Sequence, residues 1–221
     1  MRIPAVAVLC LFLALTARAA EPAPDPEAAY TAAITKRAND ILAVLKLDDP
    51  AKADRVRDIL VNQYRSLRAI HDSRDDKLKS LPKDDKPAVE QVRAEAAAKL
   101  KPLHESFLSK LAVELTPEQV TAVKDKMTYN KVQVTFKAYT SYLPQMTDEE
   151  RGKVLAWLEE AREEAIDGGS SEEKSKIFDK YKGRINNFLA SRGYDLKQAE
   201  KDFFARQKAA AAQRATTRPG N

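Results

Sequence analysis

Residues 115–130 read LTPEQVTAVKDKMTYN, and this stretch holds the device that starts nearly every helix of the chain. Leu115 precedes the cap, Thr116 is the cap, and Pro117 takes the first helical position, where its missing N–H removes no helical bond. Gln119 is spaced to reach back to the cap amide, and Leu115 with Val120 forms a hydrophobic staple. Val123 and Met127 then open an apolar stripe one helical face wide.

Working outward, the same template recurs at Asp25-Pro26, Asp49-Pro50, Thr147 with Glu150, Ser170 with Glu173, and Asp195 with Gln198. Each start is followed by apolar residues at helical spacing: Ile34, Ile41, Leu42 and Leu45; Val56, Leu60 and Leu67; Val154, Trp157, Leu158, Ala161 and Ala165; Ile177, Phe178, Tyr181, Ile185, Phe188 and Leu189. The pattern predicts an all-α fold, an antiparallel helical bundle of seven or eight helices with one long second helix over 50–81 and no sheet. Between the charged turn at Pro82 and Pro87 and about Val113 runs a third helix, which Pro102 is expected to bend or split. Only 132–136 departs from helical spacing. Val132, Val134 and Phe136 alternate and are rich in β-branching, so an irregular crossing is expected there, before a short helix through Tyr139 and Tyr142.

Of the 221 residues, 43% are hydrophobic and 32% charged, which suits one sizeable core. Residues 1–19 are expected to be a signal peptide. Arg2 gives a positive start, the apolar run 3–15 is too short to span a bilayer, and Ala17-Arg18-Ala19 is a cleavage signal. A proline-rich leader over 20–25, a helical domain over 26–206 and a disordered tail over 207–221 follow. The expected location is periplasmic or secreted, with no transmembrane segment in the mature chain. Cys10, the single cysteine, lies in the signal, so the mature chain is left without disulfide or thiol chemistry.

The formal charge of +5 is not spread over the domain. Arg2 and Arg18 leave with the signal, and from Lys197 onward Lys197, Lys201, Arg206, Lys208, Arg214 and Arg218 outnumber Glu200 and Asp202. The body before that arm is close to neutral, so a nucleic-acid partner is not expected.

Metal-ligand spacing is absent, with His71 and His104 far apart in sequence and no H-E-x-x-H. Neither a phosphate-binding glycine loop nor a nucleophile elbow occurs, and no cofactor is expected. Carboxylate pairs such as Glu159-Glu160 lie on a solvated helical face, so no catalytic residue is assigned. The Gly168-Gly169-Ser170-Ser171 turn reads as a helix cap or as an anion site.

What remains are polar and aromatic residues in gaps of the stripes: Tyr64, His71 and Arg74; Tyr129 and Asn130; Trp157 and Arg162; Tyr181, Arg184 and Asn187. Rings with amide and guanidinium donors suit a polyhydroxylated ligand, since sugar C–H faces stack on aromatics while hydroxyls take planar hydrogen bonds. The alternative is that the rings are core, the histidine is satisfied inside it, and the arginines snorkel to its edge.

Four segments carry a resemblance: NQYRSLRAIHDSRD (62–75), the opening stretch, AREEAIDGGSSEEK (161–174) and KYKGRINNFLASRGYDL (180–196). They resemble a secreted bacterial all-helical domain family of unknown function, to which sugar binding is ascribed and which often accompanies polysaccharide degradation. That resemblance spans most of the mature chain and implies an exported helical domain with an oligosaccharide ligand. It implies no catalytic residues. Leu115, Thr116 and Gln119 also resemble the LTxxQ motif of periplasmic chaperones, which makes a chaperone or stress sensor the alternative reading. A polysaccharide-active enzyme is the third.

Overall fold

Nearly every capping signal opens a helix in the computed structural model, which describes residues 25–82 and 84–216. The expected signal peptide and most of the leader, and residues 217–221 of the expected tail, lie outside the described residues. Among those described there are eight helices and no strand: α1 (Pro26–Leu45), α2 (Pro50–Ser80), α3 (Lys86–Glu114), α4 (Pro117–Met127), α5 (Lys131–Tyr142), α6 (Asp148–Ala165), α7 (Ser171–Ser191) and α8 (Leu196–Thr216).

Asp25 and Asp49 accept from the amides two residues on, at 3.1 and 2.9 Å. Thr116 with Gln119, and Thr147 with Glu150, close full capping boxes. Each such cap is worth about 1 kcal/mol.

One expectation changes. The run at 132–136 is not an irregular crossing but the first turns of α5, where Val132 and Tyr139 are buried while Val134 is 65% exposed. Burial of one helical face outweighs the weak helix preference of β-branched residues. Of the two outcomes expected at Pro102, bending or splitting, the split does not occur: α3 runs unbroken through it. Helix α8 spans Leu196–Thr216.

The interior has two centres. Ala38, Ile41 and Leu45 of α1, Val56 and Leu60 of α2, Phe107 and Leu111 of α3, and Val123 and Met127 of α4 form one. The other is built by Val132 and Tyr139 of α5, Val154, Leu158 and Ala161 of α6, and Phe178, Ile185 and Leu189 of α7. Ile166, just past α6, packs into the first centre instead of the second. It therefore pins the α6–α7 turn against α1–α4, and this joint positions the site. No helix among the described residues is long and apolar enough to cross a membrane.

Candidate functional site

Four chain segments meet at that joint. Arg37 of α1 and Tyr64, Arg68, His71 and Arg74 of α2 form one wall of a cleft of about 740 Å³, with Lys126, Tyr129 and Asn130 at the α4–α5 corner opposite. The α6–α7 turn, Gly168 to Ser171, with Glu173 and Lys174, adds a third side to the lining.

Five of the ten candidates from the sequence converge here: Tyr64, His71, Arg74, Tyr129 and Asn130. The heptad spacing of α2 puts the first three on the face turned toward the joint. Tyr129 and Asn130 share a left-handed backbone, with φ of 59° and 53°. This breaks the helical path between α4 and α5 and leaves Tyr129 half exposed. The amide of Asn130 bonds the carbonyl of Asp125 at 2.7 Å, closing the corner, and its side chain makes no cap bond to α5.

The other five stand outside the cleft. Trp157 packs edge-on against Phe188, with ring centroids 5.3 Å apart, and the Arg184 guanidinium lies 4.4 Å from its ring centroid. Tyr181 packs against the α5–α7 centre, and Asn187 is exposed on α7. Arg162, expected at the edge of its helix, is buried and pairs with Asp125 at 2.8 Å. Helical spacing alone cannot separate a residue on the α6–α7 seam from one facing the joint, because both interrupt an apolar stripe.

Beneath the cleft lies a buried polar cluster. Nε2 of His71 is 2.7 Å from the Asp167 carbonyl oxygen, and Nδ1 of His104 is 2.7 Å from the Asp167 carboxylate. Two histidines remote in sequence thus meet on one residue. Burial pushes the Asp167 carboxyl above its ordinary range, against the opposing pull of His104. The Lys174 ammonium donates to the carbonyls of Met127 and Ile166, at 3.0 and 3.3 Å. Burial lowers its pKa to about 8, partly offset by Asp167. Tyr64 is pushed up to about 12, again by burial. Among the described residues, no group of three or more His, Cys, Asp or Glu side chains is placed to hold a metal ion.

The α6–α7 turn is shaped to fit this cluster. A Cβ on Gly169 would stand 2.6 Å from Cγ of His71, so only glycine fits over that ring. Ser170 caps α7 by accepting from the Glu173 amide at 3.1 Å. The Glu173 carboxylate accepts from the Gly169 amide at 2.8 Å and from Arg74 at 2.5 Å. The glycine-serine turn is therefore a helix cap tied to α2, with its positive end already facing a carboxylate.

Tyr30, Arg37, Arg68, Lys126, Glu173 and Lys174 also line the cleft, and none of them was a candidate ligand residue from sequence. As charges or rings on otherwise solvated faces they carried no distinguishing signal. Arg68, Lys126, Glu173 and Lys174 stood in segments that carried the resemblance.

The family described as "Protein of unknown function (DUF3826)" matches residues 31–209, and the chain belongs to it. That span contains all but Tyr30 of the cleft lining. None of the curated proteins matches the chain.

Proposed function

We propose that this chain is an exported binding domain whose cleft takes an oligosaccharide. The observation that carries this reading is the convergence of Tyr64, Tyr129 and Asn130 on one open cleft from segments distant in the chain. A volume of about 740 Å³ lies within the range of small-ligand sites and leaves room for a few sugar rings. Tyr129 offers a half-exposed ring, and the Asn130 amide carries both donors and an acceptor for hydroxyls.

Binding without turnover fits the lining best, because each of its carboxylates is already engaged. Asp40 pairs with Lys36, Asp72 with Arg68, and both Asp75 and Glu173 with Arg74. None stands free to serve as a glycosidase acid or nucleophile. The LTxxQ residues serve the fold: Thr116 and Gln119 cap α4, and Gln119 also donates to the Leu45 carbonyl at 3.3 Å.

Calorimetric titration against a panel of plant and algal oligosaccharides tests the reading. Binding is expected for the mature chain and for Asn187→Ala, which lies outside the cleft, and it should weaken about tenfold or more in Tyr129→Ala. An unresponsive panel, or binding that Tyr129→Ala leaves intact, overturns the reading.

A further inference from the structure

The ionic groups of the cleft do not balance. Its lining carries Arg37, Arg68, Arg74, Lys126 and Lys174 against Asp40, Asp72, Asp75 and Glu173. Every one of the four acids has a cation in contact, and Arg68 pairs with Glu27 at 3.0 Å as well as with Asp72. Lys174 is buried and spends its donors on two carbonyls. Two cations are left over. Arg37 and Lys126 have neither an ion pair nor a side-chain hydrogen bond among the described residues.

Their placement is as informative as their number. Arg37 is exposed on α1 with its guanidinium 5.9 Å from the centroid of the Tyr64 ring. Lys126 occupies the last turn of α4, three residues before the half-exposed Tyr129. Of the three tyrosines that line the cleft, Tyr30 has Arg68 4.0 Å from its ring centroid, Tyr64 has Arg37 beside it, and Tyr129 follows Lys126 in the chain, so the two cations reach the cleft from different helices. A guanidinium fork matches a planar carboxylate with two parallel N–H···O bonds, whereas an ammonium supplies a compact point charge. Around an aromatic floor, this pair of donors is complementary to a sugar ring bearing a carboxylate.

We infer that the cleft selects acidic saccharides of the uronate class, with Arg37 and Lys126 meeting ring carboxylates while Tyr64 and Tyr129 meet ring faces. This rests on the carbohydrate reading and narrows it. Arg37 also opposes the charge on Lys174, a repulsion that an anion bound at Arg37 would offset. The interaction is at the protein surface, so added salt screens it.

The test compares each acidic oligosaccharide with its own uncharged form. Oligogalacturonate, oligoalginate and glucuronate-bearing xylan fragments are titrated calorimetrically against the mature chain beside their carboxyl-reduced counterparts, at 20 and 300 mM salt. At least one acid should bind about tenfold tighter than its reduced form, as charge-assisted hydrogen bonds imply. The margin should shrink at high salt and collapse in the Arg37→Gln/Lys126→Gln double variant. Equal affinity of acid and reduced forms overturns the uronate selectivity but leaves the carbohydrate reading standing. A preference that survives the double variant overturns the assignment to these two residues. Should neither form of any probe bind, while the chain is folded by circular dichroism, both the selectivity and the carbohydrate reading fall together.

Discussion

His71 and Asp167 are joined across 96 residues of chain by one hydrogen bond, 2.7 Å from the imidazole Nε2 to the Asp167 carbonyl oxygen. A carbonyl only accepts, so Nε2 donates to it, which leaves the second ring nitrogen, Nδ1, turned the other way. That nitrogen is buried without a hydrogen-bond partner and faces Glu173 Oε2 at 3.7 Å. The bond ties α2 to the α6–α7 turn and so fixes the back of the cleft.

Substituting Gly169 tests that fit. In Gly169→Ala the new Cβ falls 2.6 Å from Cγ and 2.8 Å from Cδ2 of His71. The ring or the turn must shift, at a cost of about 1–3 kcal/mol. Gly152, on α6, has nothing within 4 Å of the corresponding position, so Gly152→Ala should stabilise by about 0.5–1 kcal/mol through helix propensity. Urea unfolding of both variants reads the contrast, and equal midpoints would show that the turn does not rest on His71.

Arg162 and Asp125 give a second test. Their 2.8 Å pair is nearly inaccessible to solvent on both sides, and Asp125 also accepts from the Gln133 side chain. Removing one partner leaves an uncompensated buried charge. Arg162→Met alone is therefore expected to cost about 3–5 kcal/mol, and the added change Asp125→Met should recover most of it. Affinity for saccharide should be unaffected in whichever of these variants stays folded. A selective loss of binding from Arg162→Met would return this arginine to the ligand site.

Lys174 makes stability depend on pH in a known direction. Its folded pKa is about 8, against the ordinary 10.5. Between those values the unfolded chain binds more protons than the folded one, so stability rises with pH across that window. Asp167 acts in the opposite sense at acid pH. Its raised carboxyl makes the folded chain bind more protons just above pH 3.8, and stability there falls as pH increases. Relative to Lys174→Met, the native chain should gain roughly 1–3 kcal/mol between pH 7.5 and 10. Parallel unfolding curves across that interval would mean that the ammonium is not desolvated.

These relationships explain what the sequence disclosed and what it withheld. Helix starts are local events, written in the cap and the three residues after it, so Thr116-Gln119 and Thr147-Glu150 were readable directly. The identity of a gap residue is not local. Tyr64 and Trp157 are both rings on or beside an apolar stripe, yet one faces the joint between the two centres and the other packs on Phe188. What separates them is the seating of Ile166 in the opposite centre, a long-range choice with no trace in periodicity. The run at 132–136 failed for the reverse reason: its local preference was plain, and tertiary burial overrode it.

Tyr129 holds the clearest conflict between stability and binding. A non-glycine residue at φ 59° is strained by about 1–2 kcal/mol, and a ring that is 51% exposed recovers little of that by packing. Asparagine tolerates the left-handed region better, because its short side chain bonds locally. Tyr129→Asn should therefore raise the melting temperature by a few degrees, equivalent to about 0.5–1 kcal/mol, while weakening saccharide binding about tenfold. The two effects are read on one sample by calorimetric scanning and titration. If the variant melts lower, the ring is holding the α4–α5 corner together. Its exposure would then no longer argue for a ligand, because strain kept at an exposed aromatic points to a binding role only when folding gains nothing from it.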